Sequence, residues 1–161
     1  MKAIELAAIT AVLVTAVAVR ASAQTATQTV TFAVSAINQI SITGSPSLSV
    51  TTATAGSAPT TVSDATSTWA VTTNQTNAKI SASIPSAMAT GLTLSVNLGA
   101  PSGATSAGAT ALGTVAVDLV TAITKLATGG LSATYQLAAT PAAGVVSSAT
   151  KVVTYTISGG T

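Results

Sequence analysis

Hydrophobic and polar residues alternate with a period of two along much of the chain after residue 24. The first alternating run places its apolar side chains at even positions: Val30, Phe32, Val34, Ala36, Ile40 and Ile42. Because successive side chains of a β-strand point to opposite faces, this spacing predicts either one bent strand or two strands that break at Asn38. The Gly44-Ser45-Pro46 sequence is predicted to end the run.

Shorter alternating runs follow, separated by stretches rich in Gly, Pro, Asn and Ser. Their apolar positions predict strands near residues 48–50, 69–71, 80–84, 92–98, 131–139 and 153–157. About seven or eight short strands spaced by turns are typical of an all-β, immunoglobulin-like antiparallel β-sandwich. The chain contains no Cys, so the disulfide that links the two sheets of antibody domains is absent.

One segment departs from strict alternation. Val115 and Val117 alternate, but the next apolar residues recur at spacings of three and four: Leu119, Val120, Ile123 and Leu126. This spacing is typical of a helix face, so a short helix or turn is predicted after a strand at 115–117. Gly129-Gly130 is predicted to end it, as glycines commonly do at helix C-termini.

Residues 1–23 have the pattern of an export signal, for which we expect a helical conformation. Lys2 supplies a positive start, an apolar run covers residues 6–19, and Ala21-Ser22-Ala23 provides the small residues that precede signal peptidase cleavage. The apolar run is shorter than the roughly 20 residues that cross a bilayer. Contact with a membrane is therefore expected only through this signal segment, before it is cleaved.

We expect cleavage between Ala23 and Gln24, which leaves residues 24–161 as a single secreted or surface-exposed β-sandwich domain. An alternative follows from Glu5, which lies just inside the apolar stretch, as in type IV pilin-like precursors. In that class the apolar helix is retained and packs in a filament core. Both routes place the protein outside the cell.

Charged residues are scarce, and they are scarcer still in the predicted mature domain. Three of the chain's eight belong to the signal segment, and the others are Asp64, Lys79, Asp118, Lys125 and Lys151. The mature domain has no His, Cys, Arg or Glu, although most acid–base, covalent and zinc or copper chemistry depends on such side chains. We therefore expect no enzymatic activity, no cofactor and no metal site.

The small number of charges also bears on possible partners. Binding to nucleic acid depends on several Lys or Arg side chains that neutralise phosphates, so no nucleic acid partner is expected. A net charge near zero lowers the electrostatic repulsion between copies of a protein. The composition therefore favours self-association.

The residues that could carry chemistry have simpler interpretations. Asp64 lies in a predicted loop and Asp118 precedes Leu119, so both are predicted to cap turns rather than to form a catalytic pair. Ser148 and Lys151 have the Ser-x-x-Lys spacing of penicillin-binding enzymes. That spacing brings two side chains together on a helix, whereas here it runs into a predicted strand, so the match is interpreted as accidental.

Aromatic residues number four, and the single Trp is the largest of them. Sugar-binding modules usually expose several rings as a platform, but the two Tyr and the Phe occupy predicted strand faces. Trp69 is therefore predicted to lie in the core. Asn74-Gln75-Thr76 matches the acceptor pattern for N-glycosylation.

Four segments together resemble the pilin-like or fimbrial subunits of extracellular fibres, which are secreted prokaryotic β-sandwich surface proteins. They are the Ala21-Ser22-Ala23 signal end, the first strand TQTVTFAV at 27–34, the segment MATGLTL at 88–94 and the closing strand VVTYTI at 152–157. The resemblance covers the mature chain in outline.

The resemblance implies assembly by donor-strand addition, in which the N-terminal strand of one subunit completes the sheet of the next. The candidate donor residues are Val30, Phe32, Val34 and Ala36, and the partner is a second copy of the chain in a homo-oligomer or filament. One alternative is that residues 24–36 pair within their own domain as its first strand. Another is that the protein is a monomeric secreted ligand- or carbohydrate-binding module.

Overall fold

A computed structural model describes residues 22–160, so nearly all of the predicted signal segment lies outside the described residues. Within this range the chain forms nine β-strands and one short 3-10 helix, Pro141–Ala143. The strands are β1 (Asn38–Thr43), β2 (Val62–Thr73), β3 (Ala78–Ser83), β4 (Leu92–Leu98), β5 (Thr105–Ser106), β6 (Thr110–Ala111), β7 (Val117–Ile123), β8 (Leu126–Ala139) and β9 (Thr154–Ser158). No helix in this described part is long and apolar enough to cross a membrane.

The strands form two antiparallel sheets. The five-stranded sheet has the order β1-β2-β8-β4-β6, and the four-stranded sheet has the order β5-β7-β3-β9. From β3 onward, each strand lies in the opposite sheet from the strand before it. The buried side chains of both sheets belong to one hydrophobic cluster. The all-β class with a β-sandwich-like architecture is therefore confirmed.

Trp69 lies in the core that the two sheets share. Its side chain is 1% exposed, and its indole Nε1 donates a hydrogen bond of 3.2 Å to the carbonyl oxygen of Gly99. This bond satisfies the one polar atom of the indole, so burial of the ring leaves no unpaired donor. The predicted core position of Trp69 is confirmed.

Most of the predicted strands are confirmed. Those at 69–71, 80–84, 92–98, 131–139 and 153–157 correspond to β2, β3, β4, β8 and β9. The predicted strand at 48–50 is wrong. Leu48 packs against the core, but these three residues pair with no strand in the described part of the chain. The apolar residue at position 48 therefore reflects contact with the core rather than pairing in a sheet.

The helix predicted after residue 117 is also wrong, because β7 occupies this segment. The register between β3 and β7 shifts on both sides of Ile80. Leu119 and Val120 are consecutive, yet both are completely buried. The irregular pairing replaces strict alternation, and it explains the helix-like spacing of the apolar residues.

Gly129 and Gly130 form a β-bulge inside β8 rather than the end of a helix. Trp69 pairs with Leu131 whereas Val71 pairs with Thr128, so β8 carries one more residue than β2 at this point. Gly130 has a φ of 68°, a conformation that a glycine adopts at little cost. The glycine pair therefore absorbs the extra residue in the ladder.

The first alternating run becomes a strand only in its second half, because β1 begins at the predicted break, Asn38. The described residues fall into two units, 22–33 and 34–160. Residues 22–36 are exposed and contain no helix or strand. A strand is defined by the ladder with its partner, and no described strand pairs with this segment. The predicted strand over 29–36 is therefore absent from the isolated chain.

Candidate functional site

Residues 24–36, which we call the N-terminal run, present their apolar side chains to solvent. Phe32 is 89% exposed, Val34 is 78% exposed and Val30 is 72% exposed, and Ala36 is exposed as well. These are the candidate donor residues. Full burial of a large apolar side chain contributes about 1.5–3 kcal/mol. Burial of each of the three large side chains against a partner surface would therefore be favourable. In the described chain these side chains stay exposed.

The predicted cleavage site lies in the same exposed stretch. Ala23 and Gln24 are exposed and belong to no helix or strand. An exposed segment without regular structure is open to a protease. Cleavage at this bond stays a prediction.

The side chain of Asn74 fixes the chain between the N-terminal run and β1. Its Oδ1 accepts a 2.8 Å hydrogen bond from the backbone N–H of Ile37, and its Nδ2 donates a 2.8 Å bond to the carbonyl oxygen of Ser35. The backbone N–H of Asn74 also donates to the carbonyl oxygen of Ile37 at 3.2 Å. We call these three bonds the Asn74 clamp. The clamp continues the β1–β2 pairing outward to residue 35.

Strands β1 and β9 are the long edge strands of the two sheets, and they approach each other. Gly159 directly follows β9 and lies beside Asn38, the first residue of β1, so that a Cβ on Gly159 would be 2.7 Å from Asn38 Nδ2. The other two edges are the two-residue strands β5 and β6, which only residues 107–109 separate along the chain. The long edges therefore border one side of the sandwich together.

The inward side chains of these two edges are incompletely covered. Ile40 and Ile42 on β1, with Tyr155 and Ile157 on β9, pack against the core but remain partly exposed. We call these four residues, with the two strands that carry them, the β1–β9 seam. Val96 on the interior strand β4 is completely buried by contrast. The seam is therefore an apolar side of the core that the described residues cover only in part.

A hydroxyl pair joins the two sheets at the seam. Tyr135 on β8 and Tyr155 on β9 place their hydroxyl oxygens 2.7 Å apart. Burial raises the pKa of Tyr155, and the hydrogen bond with Tyr135 raises it further. The pair thus attaches the edge strand β9 to the centre of the opposite sheet.

Asp64 lies on β2 rather than in the predicted loop, but its local bonding matches the predicted role. Its Oδ1 accepts bonds from the backbone N–H and the hydroxyl of Thr66, at 2.8 and 2.6 Å, and its Oδ2 accepts one from the N–H of Ser47 at 3.0 Å. These bonds hold the pKa of Asp64 below its usual value, the Thr66 hydroxyl having the largest effect. The carboxylate closes a bulge between Asp64 and Ser67.

Asp118 lies on β7, so its prediction as a cap for a helical turn is wrong. Its Oδ2 is 3.0 Å from Lys79 Nζ, in an ion pair whose side chains are 48% and 45% exposed. Pairs this exposed contribute little to stability. The two Asp side chains of residues 24–161 thus sit on strands of different sheets, and each has its own partners.

Lys151 is engaged away from Ser148. Its Nζ donates bonds to the Ser86 hydroxyl at 3.0 Å and to the carbonyl oxygen of Ala87 at 3.2 Å. Ser148 is exposed and forms no bond with Lys151. Lys151 therefore holds the chain before β9 against the turn after β3.

The sequence does not reveal the clamp or the seam. It identifies Asn74 only as part of a glycosylation triplet, although an Asn directly after a strand commonly bonds neighbouring backbone groups. The seam depends on which strands become edges, and alternation along one strand carries no such information.

Other concave or ligand-like features are limited. A depression of about 320 Å³ beside Asn74 is lined largely by apolar atoms, including those of Ile37 and Leu126, with Lys125 at its border. Among residues 22–160, no three His, Cys, Asp or Glu side chains gather where they could hold a metal ion. Comparison with protein-family models, curated proteins and solved structures found no match to this chain.

Proposed function

We propose that the chain is an exported, non-enzymatic structural protein of the cell surface that assembles into a filament or another homo-oligomer. In this assembly, residues 24–36 of one subunit add to the next subunit as a donor strand. One observation carries the proposal. Val30, Phe32 and Val34 have the spacing of a strand face, yet they are exposed and unpaired within the described chain.

The charge distribution supports association rather than catalysis. The mature domain has two Asp side chains, and each is bonded to neighbours that leave it a structural role. Of the three Lys side chains, Lys79 pairs with Asp118 and Lys151 with backbone and hydroxyl oxygens. With so few free charges, copies of the domain repel each other weakly.

We further propose that the sandwich is of the immunoglobulin-like type. Two features support this assignment: the repeated passage of the chain from one antiparallel sheet to the other, and a central buried Trp that packs between them. Secretion is supported by the signal pattern in residues 1–23.

The alternative, a monomeric carbohydrate-binding module, requires exposed aromatic rings. Trp69 and Tyr135 are only 1% and 7% exposed, and the hydroxyl of Tyr155 is bonded to Tyr135. Phe32 is the one strongly exposed ring, and it lies in the N-terminal run rather than in a pocket. The arrangement of aromatic residues therefore favours assembly.

The proposal is tested by replacing the donor face. A triple variant with Val30, Phe32 and Val34 changed to Ser is compared with a matched control in which Thr29, Thr31 and Ala33 are changed to Ser. The exported proteins are examined by size-exclusion chromatography and electron microscopy. We expect the wild-type and control proteins to form oligomers or filaments and the triple variant to be a folded monomer.

Phe32→Ala alone should weaken association by roughly 10- to 150-fold, which corresponds to the loss of about 1.5–3 kcal/mol of apolar burial. The thermal unfolding temperature of the monomer should not change, because the side chain is already exposed. A wild-type protein that stays monomeric at high concentration would overturn the proposal. So would a triple variant that unfolds, since that result would mean that the run belongs to its own domain.

A further inference from the structure

Strand β1 has an edge that is open to another strand. The N–H of Asn74 bonds to the carbonyl oxygen of Ile37, so the peptide groups of Ile37 face β2. Peptide groups alternate in direction along an antiparallel strand. Those of Asn38, Ile40 and Ile42 therefore face away from β2, and in the described chain no strand lies on that side.

This edge also lacks the features that usually prevent edge pairing. Natural edge strands are commonly protected by charged residues, Pro or a bulge. β1 has the sequence NQISIT, which contains no charge and no Pro, and its pairing with β2 runs without a register shift. An added strand would meet no charge on β1.

Resting on the proposed function, we propose that the β1 edge of the β1–β9 seam is the acceptor, and that its occupant is the segment 28–36 of a second copy of this chain. The segment carries apolar residues at every second position from Val30 to Ala36 and contains no charged residue. When it pairs with β1, its backbone meets the free peptide groups. Its apolar face then covers Ile40 and Ile42 on one side and Tyr155 and Ile157 on the other.

The Asn74 clamp favours a second copy over the segment's own domain. To return along its own β1, the chain would have to reverse direction within about five residues before Asn38. Ser35 and Ile37 lie in that stretch, and both are bonded to Asn74 in continuation of β1. A reversal there has to break or rebuild these bonds, whereas addition to a neighbouring subunit leaves them in place.

Disulfide trapping tests this assignment, and the absence of Cys from the chain removes background reactions. Thr31 lies on the polar face of the donor run, and Ser41 is an outward-facing exposed residue of β1. The double variant Thr31→Cys with Ser41→Cys is oxidised in the assembled state and run on a non-reducing gel. Thr29→Cys and Ala33→Cys replace Thr31→Cys in parallel variants, so that the register need not be assumed.

We expect intermolecular disulfides, seen as a ladder of dimers and higher species, for at least one polar-face position. The control Thr31→Cys with Thr72→Cys keeps Phe32 and places the second thiol on β2, one strand beyond β1. It should give much less product, because disulfides need Cβ atoms within roughly 4.5 Å and strands two apart in a sheet are separated by about 9 Å. A second control moves the acceptor thiol to β9, as Thr156→Cys.

Several outcomes would overturn the assignment. Disulfides to Thr156→Cys but not to Ser41→Cys would show that the segment adds to β9. A disulfide that closes within one chain, seen as a fast-migrating monomer, would show self-pairing. Filaments in electron micrographs without any of these disulfides would refute the β1 acceptor and leave the proposed function standing. Failure of the chain to assemble at all would refute both.

Discussion

The hydroxyl pair of Tyr135 and Tyr155 should act as one energetic unit. The variants Tyr135→Phe and Tyr155→Phe each remove one oxygen and keep the ring, so packing changes little. The remaining hydroxyl then loses a partner at 2.7 Å. A buried polar group left unpaired costs about 1–3 kcal/mol. Tyr155 is partly exposed and water can replace some of the bond, so we expect about 1 kcal/mol for either variant.

The double variant should cost no more than either single variant, because it removes both polar groups together. This corresponds to a coupling free energy of about 1 kcal/mol in a double-mutant cycle. The free energy of unfolding is measured by urea denaturation at neutral pH, in the background with Val30, Phe32 and Val34 changed to Ser, which is expected to be monomeric. If the two single costs simply add in the double variant, the hydrogen bond does not carry the effect.

The same pair should make the free energy of unfolding fall with rising pH in the alkaline range. Burial and the bond to Tyr135 raise the pKa of Tyr155 above the value of about 10 that an unfolded chain has. A group whose pKa is raised on folding contributes its full stability below the unfolded value. That stability is lost as the pH rises further, because the unfolded chain releases its proton first. Tyr155→Phe should therefore flatten the decline in stability between about pH 9.5 and 11, and an unchanged slope would contradict this assignment.

Two further variants test local structure. Asp64→Asn should flatten the acid side of the stability curve, measured by thermal unfolding from neutral to acid pH. The lowered pKa of Asp64 means that its stabilisation is present above about pH 4 and is lost as the pH falls through the folded-state pKa; an acid limb identical to wild type would show that the Asp64 bonds are unimportant. Gly44→Ala should destabilise the domain by about 1–3 kcal/mol in urea. Gly44 has a φ of 112°, and an added Cβ would lie 2.8 Å from Ser67 Cα. The control Gly113→Ala meets no atom within 4 Å and should be nearly neutral, so equal effects at both sites would refute the steric argument.

Alternation predicted the strands that have one covered face and regular pairing. β4 is an example, since residues 92–98 match its bounds and its side chains alternate in burial over most of its length. The prediction failed where the ladder is irregular. In β7 a register shift buries Leu119 and Val120 together, and in β8 the bulge at Gly129-Gly130 was interpreted as a helix end. Bulges depend on the opposing strand, so the pattern along a single strand does not identify them.

The candidate donor residues were found by their spacing, but their surroundings were not. The same alternation in residues 30–36 and in β1 gives a strand only in β1, because β2 pairs with β1 and no described strand pairs with the preceding run. The Asn74 clamp joins Asn74 to Ile37 and to Ser35, which precede it by 37 and 39 positions in the chain. Such long-range partners follow from the fold as a whole.

The Asn74 clamp has a mechanical consequence for a fibre built from these subunits. Ser35 and Ile37 are held by the domain, and the three large candidate donor residues, Val30, Phe32 and Val34, lie directly before them. In a fibre assembled as proposed, almost no flexible linker would remain between one subunit's body and the strand that pairs with its neighbour. Flexible linkers let tethered domains reorient, whereas this short connection would transmit bending and torsion from one subunit to the next. Such a fibre would be stiff, with a regular repeat. Asn74→Ala would remove the side-chain bonds of the clamp and make the connection between subunits flexible.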